Sequence, residues 1–248
     1  RLTDVTGVQT CALPILCEYT KYVMYLAPLG VGGAIAAVVG AKGIGVLFGL
    51  GKLIGALYLA LAGYVFIILG IVVLMFRIPV MRFLRAVKDP YLLAFSTASS
   101  EAAFPMAIRN MERFGVPRHI VSFVLPTGYS FNLDGSTLYL ALASVFVAQA
   151  AGVEMTLSQQ LTMIATLMLT SKGVAAVPRA SLIILAATLQ TFNLPLEGVA
   201  VILGVDTLMD MARTSVNLLG NCLATAVVAK WEGHEIIPQD AEPAGEAA

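Results

Sequence analysis

The last apolar segment of the chain, residues 196–230, constrains the fold more than any other feature. Read as a helix at about 100° per residue, it places six polar or charged side chains within an arc of about 100°. These are Asp206, Asp210, Arg213, Thr214, Asn217 and Asn221. A charge at the centre of a bilayer costs at least ~2.5–3.5 kcal/mol, so this face cannot contact lipid. We therefore predict that it faces a protein-lined, water-containing cavity.

Composition places the whole chain in the membrane class. Hydrophobic residues make up 58% of the 248 residues and charged residues 12%, about half the charged fraction of a soluble domain. The formal net charge is zero, which argues against a nucleic-acid partner. The three cysteines form no CxxC motif and no Cys/His cluster, so neither disulfides nor a zinc site is expected. The two histidines, His119 and His234, fall near predicted membrane edges and offer no catalytic pairing.

The N-terminal residues are expected to lie outside the fold. Residues 5–15 resemble an in-frame translation of a sequencing adapter, so we interpret 1–15 as an assembly artefact and exclude it from fold reasoning. A short polar N terminus is the alternative. If residues 1–15 are an assembly artefact, the reading frame is truncated and the native protein is expected to extend further at its N terminus.

Two membrane-spanning helices are predicted within 16–76, and a first hairpin follows them. The apolar runs 22–39 and 47–76 are close to or above the roughly 20 residues that cross a bilayer. The less apolar stretch 89–108 lies between two basic loops, which the positive-inside rule places in the cytoplasm. These loops contain Arg77, Arg82, Arg85 and Lys88, and then Arg109, Arg113 and Arg118. If 89–108 crossed the whole membrane, the two basic loops would lie on opposite sides of it. We therefore predict that 89–108 enters the membrane and returns to the same side as a re-entrant hairpin.

The same pattern recurs with the opposite orientation. A helix over 119–151 crosses outward, and a second hairpin over 159–192 is flanked by connections that lack Lys and Arg. The helix 196–230 then crosses inward, and the polar tail 232–248 is predicted to be cytoplasmic and disordered. The core 77–231 is therefore an all-α inverted repeat with interrupted helices, which is typical of secondary transporters.

The segment 131–136, with the sequence FNLDGS, interrupts an otherwise apolar helix. In a soluble protein, Asp-Gly at this point indicates a turn. Within a membrane span, a local unwinding is favoured because a plain turn would leave backbone groups unpaired. Its carbonyl oxygens, Asn132 and Asp134 offer oxygen ligands to a small hard cation.

Asp210 and Arg213 lie three residues apart on one helical face. A structural ion pair that hides both charges is one interpretation. The longer polar face favours another, in which Arg213 grips a carboxylate and Asp210 pairs with an ammonium, as in a site for an acidic amino acid. The hairpin tips at 99–100 and 171–177 are either flexible linkers or donors of backbone amides to an anionic substrate.

From about residue 22 to residue 231, the chain resembles the C-terminal part of the dicarboxylate/amino acid:cation symporters, the glutamate transporter family. The matching stretches are Ser99-Ser100-Glu101, 126–136, Ser171-Lys172-Gly173 with Val177-Pro178, and the polar positions of the last helix up to Gly220-Asn221. The family implies a homotrimer in the bacterial cell membrane, multi-pass and working by an elevator motion. It is not an enzyme family. The family's N-terminal helices are expected to be missing here, so the chain alone is expected neither to trimerise nor to transport.

The resemblance also implies roles for individual residues. Arg213 would hold the side-chain carboxylate of the substrate, Asp210 its ammonium and Asn217 its α-carboxylate. The remaining substrate positions are Thr214, Ser136, Ser100 and Val177. The cation positions are Gly128, Ser130, Asn132, Asp134, Asn217, Asn221 and Ser171. The implied cargo is glutamate, aspartate or a C4-dicarboxylate, moved together with H⁺ and/or Na⁺ and without a cofactor.

Two departures from the family pattern bear on the coupling ion. Many sodium-coupled members have Met at the position of Leu133 and Asp at that of Asn221. Losing a carboxylate weakens a sodium site, so the sequence favours proton coupling. Two other classes of protein fit the sequence less well. An ion channel needs a continuous pore, and an intramembrane protease needs two facing aspartates, for which Asp134 and Asp206 are the candidates but without a groove for a peptide.

Overall fold

The computed structural model describes residues 43–171, 180–192, 194 and 197–236, with separate positions between 29 and 40. Every regular element in these ranges is helical. The chain divides into two compact units, Arg1–Phe48 and Gly49–Ala248. In the first, the described positions from Leu29 to Gly40 are helical. The second contains all the candidate site residues. The proposed adapter remnant, 1–15, and most of the run 22–39 lie outside the described residues.

The first long helical run is continuous from Gly45 to Met75. It consists of α1 (Gly45–Gly63), a π-helical turn (Tyr64–Leu69) and α2 (Gly70–Met75). With 31 residues and a mean hydropathy of 2.7, it is long and apolar enough to cross a membrane. Large apolar side chains along it are exposed, as expected for contact with lipid: Leu59, Phe66 and Leu74.

Helices α3 (Val80–Thr97) and α4 (Ser100–Phe114) form an antiparallel hairpin. The turn between them is short because Ala98 takes a left-handed conformation and the Ser99 hydroxyl accepts the Ala102 amide, in the first turn of α4, at 3.3 Å. Far from this turn, the Asn110 amide donates to the Ala86 carbonyl at 2.8 Å.

Both arms of this hairpin extend beyond the predicted range 89–108. Residues that were predicted to form basic loops instead lie on helices: Arg82, Arg85 and Lys88 on α3, and Arg109 and Arg113 on α4. The reason is amphipathic packing, because the buried positions recur at helical spacing throughout. On α3 they are Phe83, Val87, Pro90 and Ala94, and on α4 they are Ala103, Ala107, Met111 and Phe114.

The predicted helix 119–151 is two helices in the structure. Helix α5 (Arg118–Phe131) ends before Asn132, and α6 (Asp134–Ala150) begins two residues later. Asn132 and Leu133 have φ near −105° with ψ of 74° and 56°, outside the helical region. The whole run Arg118–Ala150, with a mean hydropathy of 1.3, is the second stretch long and apolar enough to cross a membrane.

Helices α7 (Leu157–Thr170) and α8 (Ala180–Thr191) pack against each other and against the rest of the second unit. Helix α7 starts at a capping box, in which the Thr156 hydroxyl and the Gln159 side chain satisfy each other's backbone amides. Apart from Ser171, the proposed tip of this second hairpin, including Val177, lies outside the described residues.

The last predicted helix, 196–230, is also divided. Helix α9 (Glu197–Leu203) is followed by a turn at Gly204 and Val205, and α10 (Asp206–Trp231) begins there. Glycine is a poor helix former, and an aspartate in the first turn of a helix is favoured by the helix dipole. The break therefore places Asp206 at the start of α10 instead of in the middle of a longer helix.

Helix α10 joins two hydrophobic cores. One core is formed by α3, α4 and α5 with the second half of α10, from Leu218 to Ala229. The other is formed by α1, α6, α7, α8 and α9 with the first half of α10, from Met209 to Val216. The polar face of α10 runs through the junction between these two cores.

Candidate functional site

The polar face of α10 lies inside the protein. Five of its six side chains are buried, with exposed fractions of 0% for Asp206, 2% for Arg213, 8% for Thr214, 5% for Asn217 and 3% for Asn221. The sixth, Asp210, is 14% exposed. Helices α5 and α6 pack against α10. The six residues therefore face protein, as required for charges in an apolar environment.

Arg213 is held by two aspartates of its own helix. Its Nε donates to Asp210 Oδ1 at 2.8 Å, and its Nη1 lies 3.4 Å from Asp206 Oδ1. The same Asp210 oxygen accepts the Thr214 hydroxyl at 3.0 Å. The guanidinium also lies over the Tyr139 ring, 4.1 Å from its centre. Because a buried charge is tolerated only when paired and hydrogen-bonded, this set of contacts fixes both the charge and the orientation of Arg213.

Asn217 caps the start of α6 from across the interface. Its Oδ1 accepts the backbone amide of Gly135 at 2.8 Å and that of Ser136 at 3.4 Å. Its Nδ2 donates to the Ser136 hydroxyl at 2.9 Å. The first amides of a helix have no partner within the helix, so this side chain satisfies them and fixes α6 against α10.

A second group of polar side chains gathers at the break between α5 and α6. The Tyr64 hydroxyl, at the start of the π-helical turn, donates to Asp134 Oδ2 at 2.7 Å. With its amide oriented to donate, Asn132 lies 2.8 and 3.0 Å from the two Asp134 oxygens and 3.1 Å from the Asn221 side chain. A carboxylate, two side-chain amides and a hydroxyl therefore lie close together at the break between α5 and α6.

Close backbone contacts bring the break and α10 together. A Cβ at Gly128 would lie 2.5 Å from Asn221 Oδ1, and one at Gly135 would lie 2.6 Å from the Arg213 carbonyl oxygen. Both distances are too short for any side chain. The two glycines therefore allow α5 and α6 to approach the polar face of α10 at the positions where the candidate residues lie.

Gly135→Ala is expected to lower the free energy of unfolding by about 1–3 kcal/mol, because the added methyl meets backbone that cannot rotate away. The matched control is Gly55→Ala on α1, where no atom lies within 4 Å of the new methyl. Alanine is the better helix former, so the control should be neutral or slightly stabilising. Thermal unfolding of the two variants in detergent measures the difference. Equal melting temperatures would contradict the close packing described for Gly135.

Most of the predicted site residues are brought together by the structure. Contacts between side chains or close backbone approaches connect Gly128, Asn132, Asp134, Ser136, Asp210, Arg213, Thr214, Asn217 and Asn221. Ser130 lies on the last turn of α5, close in sequence to this group.

Ser100 and Ser171, like Ser130, make no contact with this group among the described residues. Ser100 is the first residue of α4, at the hairpin turn. Ser171 is buried at the end of α7, where its hydroxyl donates to the Met168 carbonyl at 3.1 Å. Val177 lies outside the described residues, so its substrate contact stays a prediction.

Two tyrosines that contact the candidate site were not among the predicted residues. Tyr64 contacts Asp134, and Tyr139 lies against Arg213. A signal was available, because a tyrosine inside an apolar run needs a partner for its hydroxyl. That signal finds the hydroxyl partner of neither tyrosine: Tyr64 donates to Asp134, 70 residues away, and Tyr139 contacts Arg213 through its ring and not its hydroxyl.

The charges of the group determine what it can bind. Arg213 pairs with Asp206 and Asp210, while Asp134 lies at the break between α5 and α6, where it accepts from Tyr64. These three carboxylates and one guanidinium carry an excess of negative charge when ionised. Such a site attracts a cation or an ammonium group, and the guanidinium offers a fork for a carboxylate. The oxygen-rich set around Asp134 suits a hard cation.

The helical structure of the described residues, the two membrane-capable runs and the buried ionic centre are together consistent with a membrane protein that has a polar interior site. The chain belongs to the sodium:dicarboxylate symporter family, whose family model matches residues 6–231. The resemblance stated from sequence motifs is thereby confirmed.

Several curated relatives are similar to the chain. The proton/sodium-glutamate symport protein of Bacillus subtilis (strain 168) is 52% identical over 211 residues, which cover 85% of this chain and 49% of the relative. The proton/glutamate-aspartate symporter of Escherichia coli (strain K12) is 47% identical, covering 87% and 49%. C4-dicarboxylate transport protein 2 of Polaromonas naphthalenivorans (strain CJ2) is 46% identical, covering 88% and 49%. The chain therefore spans about half the length of these relatives.

Proposed function

We propose that this chain is the substrate- and cation-binding part of a secondary symporter that takes up an acidic amino acid. One observation carries the proposal: Arg213, 2% exposed, is held by Asp206 and Asp210 on the first half of α10. A structural ion pair needs one partner for each charge. Here Arg213 has a second carboxylate and the Tyr139 ring of α6 as partners. Asn217, one turn further along α10, pairs with Ser136 of α6.

Recognition of glutamate or aspartate would use three contacts. Arg213 would bind the side-chain carboxylate, because a guanidinium pairs with it through two parallel hydrogen bonds. Asp210 would pair with the α-ammonium, sharing its oxygens with Arg213 and Thr214. Asn217 and Ser136 would contact the α-carboxylate close to the N terminus of α6, where the helix dipole favours negative charge.

A C4-dicarboxylate is the alternative substrate, and some relatives are named for its transport. Asp210 argues against it, because a dicarboxylate has no ammonium and would bring a third carboxylate towards Asp206 and Asp210. Like charges at contact distance cost several kcal/mol in an apolar site, on the order of the figures for wrong charge pairings at interfaces. We therefore favour the amino acid.

The coupling cation would bind at the break between α5 and α6. Asp134 provides the charge, and Asn132, Asn221, Ser130 and the carbonyl of Gly128 are the neighbouring oxygen donors. Asn221, a neutral amide, lies next to Gly128 and Asn132, where many sodium-coupled members have an aspartate. The site is therefore poorer in charge than a sodium site of that kind, and we favour H⁺ over Na⁺ as the coupling ion.

The same proposal covers the architecture of the whole protein. Helices α3 and α4, and α7 and α8, would be re-entrant hairpins of opposite orientation in a bacterial cell membrane. Each hairpin belongs to one of the two cores that α10 joins, as expected for an inverted repeat. In the full-length protein this part would move as an elevator within a homotrimer.

The test is uptake by a chimera in which residues 22–231 replace the matching region of the Bacillus subtilis relative. Proteoliposomes containing the chimera are given an inward proton gradient, an inward sodium gradient, both or neither. We expect saturable accumulation of labelled aspartate above the external concentration, driven by the proton gradient without sodium. Uptake only with sodium would overturn the choice of proton, and flux that merely equilibrates would indicate a channel.

A further inference from the structure

The structure brings together the chain's two histidines, which are 115 positions apart in sequence. His119 is the second residue of α5, and His234 follows the end of α10. Their rings lie 5.7 Å apart, edge to face. Glu232 lies between them, with its Oε2 3.9 Å from His119 Nε2 and 3.8 Å from His234 Nε2.

We propose that His119, Glu232 and His234 form a binding site for a divalent transition-metal ion of the zinc class. Two imidazoles and one carboxylate are a common zinc ligand set, which leaves a fourth position for water. The three ligand atoms all lie within 4.8 Å of one another. Ligands of a tetrahedral zinc ion, at about 2.0–2.2 Å from the metal, lie about 3.3–3.6 Å apart. Small side-chain rotations therefore close the site.

The backbone already holds the three residues in place. Glu232 and His234 belong to a closed helix end, in which their amides donate to the Val228 and Ala229 carbonyls, each at 2.9 Å. Gly233 between them takes the left-handed conformation, with φ of 82°, which is typical of this kind of helix end. Beside His119, Ile120 is buried at 3% exposure and fixes the start of α5.

The side chains themselves remain accessible to water, with exposed fractions of 69% for His119, 52% for Glu232 and 42% for His234. A metal ion can therefore reach them without opening the fold. A contact between exposed ionic side chains is by itself worth little, so a metal ion is the ligand that gives this cluster a defined geometry. Once bound, it would link the start of α5 to the end of α10, the two helices that carry Gly128 and Asn221.

The test is zinc binding by the whole purified chain in detergent, after removal of any histidine tag. Titration against a chromophoric chelator is expected to show one high-affinity zinc ion per chain. His119→Ala, His234→Ala and Glu232→Gln should each weaken it at least about 10-fold, the loss that even indirect partners of zinc cause. Glu235→Gln, one residue beyond His234, is the matched control and should bind as the unaltered chain does.

X-ray absorption and thermal unfolding complete the test. We expect a first coordination shell of nitrogen and oxygen without sulfur, and a melting temperature that zinc raises in the unaltered chain but not in His119→Ala or His234→Ala. Without zinc, all variants should melt alike because the side chains are exposed, so a folding defect would be visible. The proposal is overturned if zinc does not bind, if binding is unaffected by the three substitutions, or if sulfur appears in the shell.

Discussion

Replacing Arg213 with cysteine is expected to abolish aspartate and glutamate uptake by the chimera and to raise uptake of neutral amino acids such as serine. The substitution removes the only cation among the four charged side chains described for the site, and with it the proposed fork for the substrate carboxylate. Truncating one partner of a buried charge pair costs roughly 2–5 kcal/mol, or about 30- to several-thousand-fold in affinity. Competition between labelled aspartate and unlabelled serine measures the shift.

Two further variants distinguish a loss of substrate binding from a folding defect. Arg118→Cys removes an arginine whose side chain is 87% exposed and whose partner Glu112 lies 3.7 Å away, so uptake should be unchanged. Arg213→Lys keeps the charge but loses the planar fork, so it should remain folded with much weaker aspartate uptake. If Arg213→Cys took up aspartate with unaltered KM, the role of Arg213 in binding the substrate would be wrong.

Asp134→Asn is expected to eliminate gradient-driven accumulation, because the substitution removes the charge of the proposed cation site. The substitution also replaces the carboxylate that accepts hydrogen bonds from the Tyr64 hydroxyl, at 2.7 Å, and from the Asn132 amide. Uptake under each ion gradient, compared with aspartate exchange without a gradient, separates loss of coupling from loss of substrate binding.

Tyr64→Phe provides a graded comparison, since it leaves the charge of Asp134 and removes one hydrogen bond to it. A hydrogen bond to a charged group contributes about 1.5–3 kcal/mol, so the apparent cation affinity should fall by roughly 10- to 100-fold. The exposed Asp89→Asn should change nothing. Normal coupling in Asp134→Asn would exclude this residue from the cation site.

The sequence predicted the parts of the site that depend on local spacing. The polar face of α10 follows from helical periodicity alone, and its burial follows from the cost of a charge in lipid. The break at Asn132 and Leu133 was predictable because Asn and Asp-Gly interrupt two apolar runs. In both cases the alternative structure has a large energetic cost, because it would put a charge in lipid or leave backbone groups unpaired. A few neighbouring residues are then enough to predict the structure that forms.

Features that depend on packing between distant segments were not predictable in this way. The arms of the first hairpin are longer than predicted because Phe83 and Phe114 pack at 5.9 Å, and no local signal in the arginine-rich stretch reveals that contact. The division of the last helix at Gly204 was missed because a single glycine inside an apolar run is often tolerated. The contacts of Tyr64 with Asp134 and of His119 with His234 require the tertiary structure.

Protection of a cysteine at position 214 by substrate tests most directly whether the buried polar face of α10 is the binding site. Thr214→Cys, in a chimera whose other cysteines are replaced, is labelled with a small charged thiol reagent in the presence of the coupling ion. We predict that saturating aspartate slows labelling strongly and that serine does not. Labelling at the same rate with and without aspartate would contradict the account.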